Sequence, residues 1–346
     1  MAKIPNNRKN EDYWKAREQA EKAWISQNLA NDDQFNRHLN QYYRQAEYNI
    51  EKIIDQEIVN LEKHNISRQT VNNVDVEAYQ REAKKVVEEA KQMRKAGKHV
   101  SYADFSKEVN DRMRIYNATM RINRLEYIKS QIGLELVECG MYVDDDMHNK
   151  LSDDYIAEVT RQAGILGVTV TSTSLWYGKK VAKAVMAQTN SATFSQRIWA
   201  NQDVLKARLD EVMSTGVING DNPREMARRL KDQVRKTVDN QRYVTERIAR
   251  TESARVQYTA QKDAIKEGDY RFCKWYAEPG HCKVCGEIAS NDPDGNGRGV
   301  YELDDVPIIP VHPNCRCSIS ACWVDGKNNS YKATVGASRK SKDKNE

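Results

Sequence analysis

The chain has 346 residues, with 55 Lys and Arg against 50 Asp and Glu, a formal net charge of +5. That length accommodates two domains, and 30% charged against 39% hydrophobic residues suits long solvent-bathed helices better than one dry globule. The opening MAKIPNNRKNEDYWK has no apolar signal-peptide core, and the most apolar stretch, 164–177, falls short of the ~20 residues of a membrane span, so no membrane partner is expected and the chain reads as made in a cytosol.

Residues 1–30 are charged and Asn-rich, with Trp14 and Trp24 as isolated anchors. A long helix is predicted next. Leu39, Tyr43, Ala46, Ile50, Ile54, Ile58 and Leu61 recur at steps of three and four, the stripe of a bundle helix or of a short coiled-coil seam. A Glu/Lys-rich helix is expected over Val76–Ala96, closed by Gly97, and further helices over Tyr102–Ile132 and Ser152–Gly164. The β-branched residues of Val168–Ser174 suggest a short strand or an extended connector.

Thr193-Phe194-Ser195-Gln196 fits a capping box, with Phe194, Ile198, Leu205 and Leu209 on the apolar side of the helix it starts. Asn219-Gly220 is a stop and Asn222-Pro223 a fresh start. The spacing predicts one helix over Pro223–Val234 and a second from about Val238 to Glu267, ended by Gly268. Nine Lys/Arg face four Asp/Glu between Pro223 and Arg250, a surplus equal to that of the whole chain. Arg224, Arg228, Arg229, Lys231, Arg235 and Lys236 are therefore candidate nucleic-acid contacts, the alternative being a solvated helix face.

After Gly268 the character changes. Tyr270–Ala277 and Cys317–Val324 alternate like strands, with Gly and Pro clustered between them. The expected fold is mainly α: an elongated multi-helix N-terminal body carrying a small C-terminal α+β module stapled by zinc. The expected divisions are a helical region over 1–190, a second helical part over 191–268, the β-rich metal module over 269–326 and a disordered basic tail over 327–346.

Six of the seven cysteines lie between Cys273 and Cys322. In a cytosol, clustered cysteines read as metal ligands or redox sites rather than disulfides. Cys282-x2-Cys285 is followed after 26 residues by His312-x2-Cys315-x-Cys317. Two thiolates on a tight knuckle and two more ligands on a second turn suit one tetrahedral Zn2+ in a structural role. A module this poor in large apolar residues also gains from a metal staple. Cys282, Cys285 and His312 are three of the ligands. The fourth is Cys315, spaced like a knuckle, or Cys317, and His281 is a weaker candidate. Cys273 and Cys322 read as core or surface thiols. The run Asp292-x-Asp294-x-Asn296-Gly297 opens like a calcium loop, but the closing position holds Leu303, so it reads as a turn-rich hairpin loop.

Val244, Ile248, Val256, Ala260 and Ala264 are spaced by multiples of four, and Glu252 falls in the gap. A carboxylate on an apolar stripe needs a partner, and Arg247, Arg250 and Arg255 are near in sequence. Arg247, Arg250 and Glu252 are read as a structural ion pair fixing this helix to the metal module. The competing role for Glu252 is an active-site acid.

Arg247-Ile248-Ala249-Arg250-Thr251-Glu252, Trp275, Cys282-x2-Cys285 and His312-Pro313-Asn314-Cys315-Arg316-Cys317 together resemble the phage Mu F-like minor head protein family, also called head morphogenesis proteins. The resemblance covers roughly 191–324, and the first 190 residues carry none of it. It implies a minor capsid protein of a tailed bacteriophage that acts in prohead assembly at the portal vertex or capsid interior. The implied partners are the portal protein or the major capsid protein, with packaged double-stranded DNA as a further contact, and the implied location is the virion. Some members carry a toxin domain after this region; only a basic tail follows Val324 here.

Two other function classes compete with this structural role: a zinc-stapled nuclease using Glu252 or His281, and a zinc module binding DNA without sequence preference. The six His are scattered, no acidic cluster accompanies the cysteines, and neither a catalytic triad nor a phosphate loop is present. The expectation is a non-enzymatic protein with no small-molecule substrate.

Overall fold

The computed structural model describes residues 11–62, 73–98, 124–166, 174–188, 192–219 and 222–333. The strand or connector expected at 168–173, the periodic stretch before 124 and the end of the basic tail lie outside them. Helices α1 (Glu11–Glu62), α2 (Asn73–Lys95), α3 (Arg124–Leu166), α4 (Ser174–Val185), α5 (Phe194–Asn219) and α6 (Pro223–Glu267) come first in the chain. Strand β1 (Phe272–Tyr276), helix α7 (Lys283–Ser290) and strands β2 (Val300–Glu302) and β3 (Ser318–Cys322) follow. The protein is thus mainly helical, with a small antiparallel sheet of order β2-β1-β3 near the C-terminus. Among the described residues no helix is long and apolar enough to cross a membrane.

The helix ends follow from local chemistry. Thr193 N–H donates to Gln196 Oε1 (2.9 Å) and Gln196 N–H to Thr193 Oγ1 (3.2 Å), so both halves of the capping box form. Asn222 Oδ1 accepts from Glu225 N–H at 2.9 Å and starts α6. Gly97, at φ 77°, closes α2 while Lys98 N–H returns to the Met93 carbonyl. At the end of α6 the left-handed residue is Asp269 (φ 62°) rather than Gly268. Tyr270 N–H reaches the Ile265 carbonyl and Asp269 N–H the Lys266 carbonyl, and buried Tyr270 and Ile265 share one apolar cluster. Gly268 is small for another reason: a Cβ there would stand 3.1 Å from the Leu166 side chain.

Two expected breaks are absent. The helices expected over 223–234 and from 238 are one continuous α6, and the helix expected at 152–164 is the end of α3. The α6 junction holds neither Pro nor Gly, and Val234, Thr237, Val238 and Gln241 are all buried; in α3 the junction keeps Val137, Met141, Met147 and Leu151 buried, so each continuous helix keeps one face on the core.

The chain divides into two compact units that interleave in sequence. One comprises residues 1–35, 149–187 and 247–346, the other 36–148 and 188–246. In the second unit Leu39, Tyr43, Ala46, Ile50 and Ile54 are buried, as one helix of a bundle. Tyr43 Oη and Thr245 Oγ1 of α6 lie 2.6 Å apart, and Asn49 donates to Glu135 of α3 at 2.8 Å. Trp199 packs there against Gly140, where a Cβ would come within 2.9 Å of the ring.

In the first unit the sheet is packed on the last turns of α6. Cys273, Trp275, Ile319 and Ala321 share a core with Ala254, Tyr258, Ile265 and Leu166, whereas Phe272, Val300, Cys322 and Val324 cluster separately. The alternation of β1 and β3 therefore serves two apolar faces. The C-terminal sheet and its loops share their core with the helices. Gly299 (φ 72°) accepts from Trp275 N–H at 2.8 Å, and a Cβ there would stand 2.7 Å from the Ala289 carbonyl, so only glycine fits.

Candidate metal centre

Cys282 is the N-cap of α7, and its sulfur accepts the Cys285 N–H at 3.5 Å. The turn therefore points two sulfurs the same way, one exposed and one buried. The second turn is built by His312 and Cys315, whose N–H returns to the His312 carbonyl at 3.1 Å. Asn314 takes φ 67° within it.

His312 Nε2 lies 3.2 Å from Cys282 Sγ and 3.2 Å from Cys285 Sγ. Nδ1 faces the Pro313 carbonyl at 2.8 Å. A proton held there leaves the Nε2 lone pair aimed at the sulfurs, the tautomer and orientation that an imidazole ligand needs. Cys285 Sγ and Cys315 Sγ lie 3.9 Å apart. A tetrahedral ion bound to sulfur at about 2.3 Å holds its sulfurs about 3.8 Å apart. Cys282, Cys285 and His312 lie within mutual reach of one ion, as do Cys285, Cys315 and Cys317, with Cys285 shared. The donor set fits a soft or borderline metal.

The sulfurs are electrostatically unequal. Backbone N–H bonds from the first turn of α7, led by that of Cys285, hold the Cys282 thiol below its ordinary range. Burial, with Cys315 nearby, pushes Cys285 up to about 12. Cys315 and Cys317 lie within reach of each other, and their side-chain interaction holds Cys315 down to about 5 and Cys317 up.

The R-T-E run is bonded into this turn. Thr251 Oγ1 donates to the Arg247 carbonyl (2.6 Å) and accepts the Asn314 N–H (3.0 Å). Arg250 pairs with Glu278, whose other oxygen accepts the Arg316 N–H at 2.9 Å. Glu252 is fully buried and accepts from Arg255 Nε at 2.6 Å, while Arg255 also donates to the Ala184 and Val185 carbonyls. Of the three residues expected to form an ion pair, Arg247, Arg250 and Glu252, the last two have the charged partners Glu278 and Arg255. Arg250 reaches the metal module through Glu278, Glu252 is held by Arg255, and Arg247 supplies its carbonyl to Thr251. Arg255 lies one turn after Glu252 and on its side of the helix, which places it nearer the carboxylate.

Glu278 and Asp32 are the residues that sequence reasoning missed. Arg316, 2% exposed, grips Asp32 with two bonds of 2.9 and 3.1 Å and donates to Gln257 at 2.7 Å. His281 is exposed and its Nδ1 faces the Glu278 carbonyl at 2.9 Å, outside both ligand groups. Cys273 and Cys322 are buried thiols. The Asp292 loop is a turn, closed by Gly297 N–H on Asp292 Oδ1 at 3.0 Å.

The six candidate contact residues of α6, Arg224 to Lys236, belong to the other unit. Arg228 and Arg229 donate to Glu225, Lys231 lies 2.5 Å from Asp55, and Arg235 lies 2.7 Å from Glu51. Arg224 occupies the first turn of the helix. Lys236, Arg229 and Arg208 line an open depression together with Glu211 and Asp232. Acidic residues pair with Arg228, Arg229, Lys231 and Arg235, so much of the positive charge of the run is offset locally.

No family model, curated protein or solved structure matches the chain.

Proposed function

We propose that this protein is a non-enzymatic minor capsid protein of a tailed bacteriophage, acting in head assembly at the portal or capsid interior, with a structural Zn2+ in its C-terminal module. The metal is held by Cys282, Cys285, His312 and Cys315. Zn2+ takes thiolate and imidazole together and has no redox chemistry, which suits a staple. Cys317 supports the fourth ligand.

The observation that carries this reading is the convergence of the resembling motifs. R-T-E, Cys-x2-Cys and His-Pro-Asn-Cys-Arg-Cys are far apart in sequence, yet Thr251 bonds the Asn314 backbone and Glu278 joins Arg250 to Arg316. Residues that resemble one family thus make one bonded unit. The burial and pairing of Glu252 argue for a structural role over an acid catalyst.

The test is co-expression with the portal and major capsid proteins of the same genome. Co-purification with the portal protein, or incorporation into proheads, supports the proposal. Free protein that joins neither contradicts it. Metal-dependent cleavage of DNA that is lost in Glu252→Gln replaces it with the nuclease. Salt-sensitive duplex binding with no capsid partner replaces it with the DNA-binding module.

A further inference from the structure

The most unusual surface in the first unit is the face that α1 turns toward the metal module. Glu18, Glu21, Ile25, Asn28 and Asp32 follow one another at steps of three and four, so they lie on one stripe of the helix. Glu21, Ile25, Asn28 and Asp32 are buried, and only Ile25 is apolar. An ordinary docked helix buries Leu or Val at such positions. This one buries carboxylates and an amide, so burial alone gives little attraction, and docking depends on partners that compensate for lost hydration.

Those partners come from the metal module and the helices around it. Lys274 of β1 donates to Glu18 at 2.8 Å, and Ser318 of β3 donates to Glu21 at 3.4 Å. Arg161 donates to Glu21 at 2.9 Å, and Asn28 donates to Gln257 at 3.2 Å. Asp32 receives the Arg316 fork and, at 3.2 Å, Lys150. Arg316 stands between Cys315 and Cys317, and its backbone N–H is fixed by Glu278. The buried arginine that holds α1 is therefore positioned by the turn that supplies the fourth ligand.

We infer that metal binding and the docking of residues 11–35 are thermodynamically coupled through Arg316 and Asp32, so that the first turns of α1 are released when the metal leaves. The inference rests on the metal site proposed above. Losing the ion frees the 312–317 turn and withdraws the Arg316 fork, leaving Asp32 with Lys150 alone. Coupling is reciprocal: weakening the α1 contact lowers metal affinity by the factor by which metal loss weakens docking.

The experiment is amide hydrogen exchange on the full chain, loaded with zinc and then stripped by a chelator, with zinc counted per chain in each state. The expected result is exchange of residues 11–35 accelerated roughly tenfold or more on stripping, while residues 39–54 of the same helix keep their protection. Zinc that is bound and removed with no change at 11–35 overturns the coupling and leaves the metal site standing. Equal acceleration in both halves of α1 overturns it too, because the release is then global. A chain that retains no zinc overturns both.

Arg316→Gln is expected to accelerate exchange at 11–35 with zinc still bound. Because that variant can disturb the module itself, Asp32→Asn tests the pair from the α1 side. It is expected to weaken zinc retention against a competing chelator by roughly tenfold. Retention equal to that of the unaltered chain overturns the inference.

Discussion

Thr251 Oγ1 accepts the backbone N–H of Asn314 at 3.0 Å, joining the C-terminal half of α6 to the left-handed residue of the His312–Cys315 turn. Thr251→Val keeps the shape and removes the acceptor, leaving that N–H without its bond. The expected loss is about 1–3 kcal/mol in chemical unfolding of the first unit, with Thr251→Ser recovering most of it. Equal stability of the Val and Ser variants would show that the bond adds nothing.

The two adjacent cysteines separate by role. Cys315→Ser is expected to lose the metal. Cys317→Ala is expected to retain it with lower affinity, because it removes only a side chain that lies beside the ligand sulfur. Metal counts on the two purified variants decide, and the reverse pattern assigns the fourth position to Cys317.

Glu278 serves two donors at once, the Arg250 guanidinium and the Arg316 N–H. Glu278→Ala leaves the partly exposed Arg250 guanidinium and the buried Arg316 N–H without that acceptor, and an expected cost of about 1–3 kcal/mol follows mainly from the orphaned buried N–H. Thermal unfolding checks this. A variant melting with the unaltered chain contradicts it.

Much of this was legible in the sequence because the signals were local. The capping box at Thr193–Gln196, the Asn222 start and the Gly97 stop each depend on residues within one turn. The Cys-x2-Cys and His-x2-Cys turns were readable for the same reason. Asp32 was not. A carboxylate on a charged helix reads as solvated, and its partner Arg316 lies 284 positions away. Glu278 sits before Pro279-Gly280 and looks like any turn residue. The continuous α6 was missed because a polar stretch such as Arg235-Lys236-Thr237 resembles a linker until the buried side of Val234 and Val238 is seen. The shared core escaped because pairing between distant segments leaves no periodicity.

Acidic crowding in the other unit gives a pH prediction. Burial, together with Glu135, Glu89 and Glu82, pushes Glu138 from an ordinary 4.5 up to about 6. The folded state then binds the proton more tightly than the unfolded chain. Stability from this group is present at low pH and lost as pH rises through 4.5 to about 6. Glu138→Gln is expected to remove that slope and to stabilise the protein at neutral pH by less than about 1 kcal/mol, since the half-exposed carboxylate is screened. Urea unfolding at pH 5 and 7 checks it. A wild-type slope retained in the variant contradicts the assignment.

The most direct measurement is elemental analysis of the purified full-length chain, beside a Cys285→Ser variant. Cys285 belongs to both ligand groups, so no arrangement of the site survives its loss. The account predicts about one zinc per chain in the unaltered protein and none in the variant, with the variant's C-terminal module opened to protease. An unaltered chain without metal, its module no more resistant to protease than that of the variant, would contradict the metal centre and leave the cysteines as packing residues.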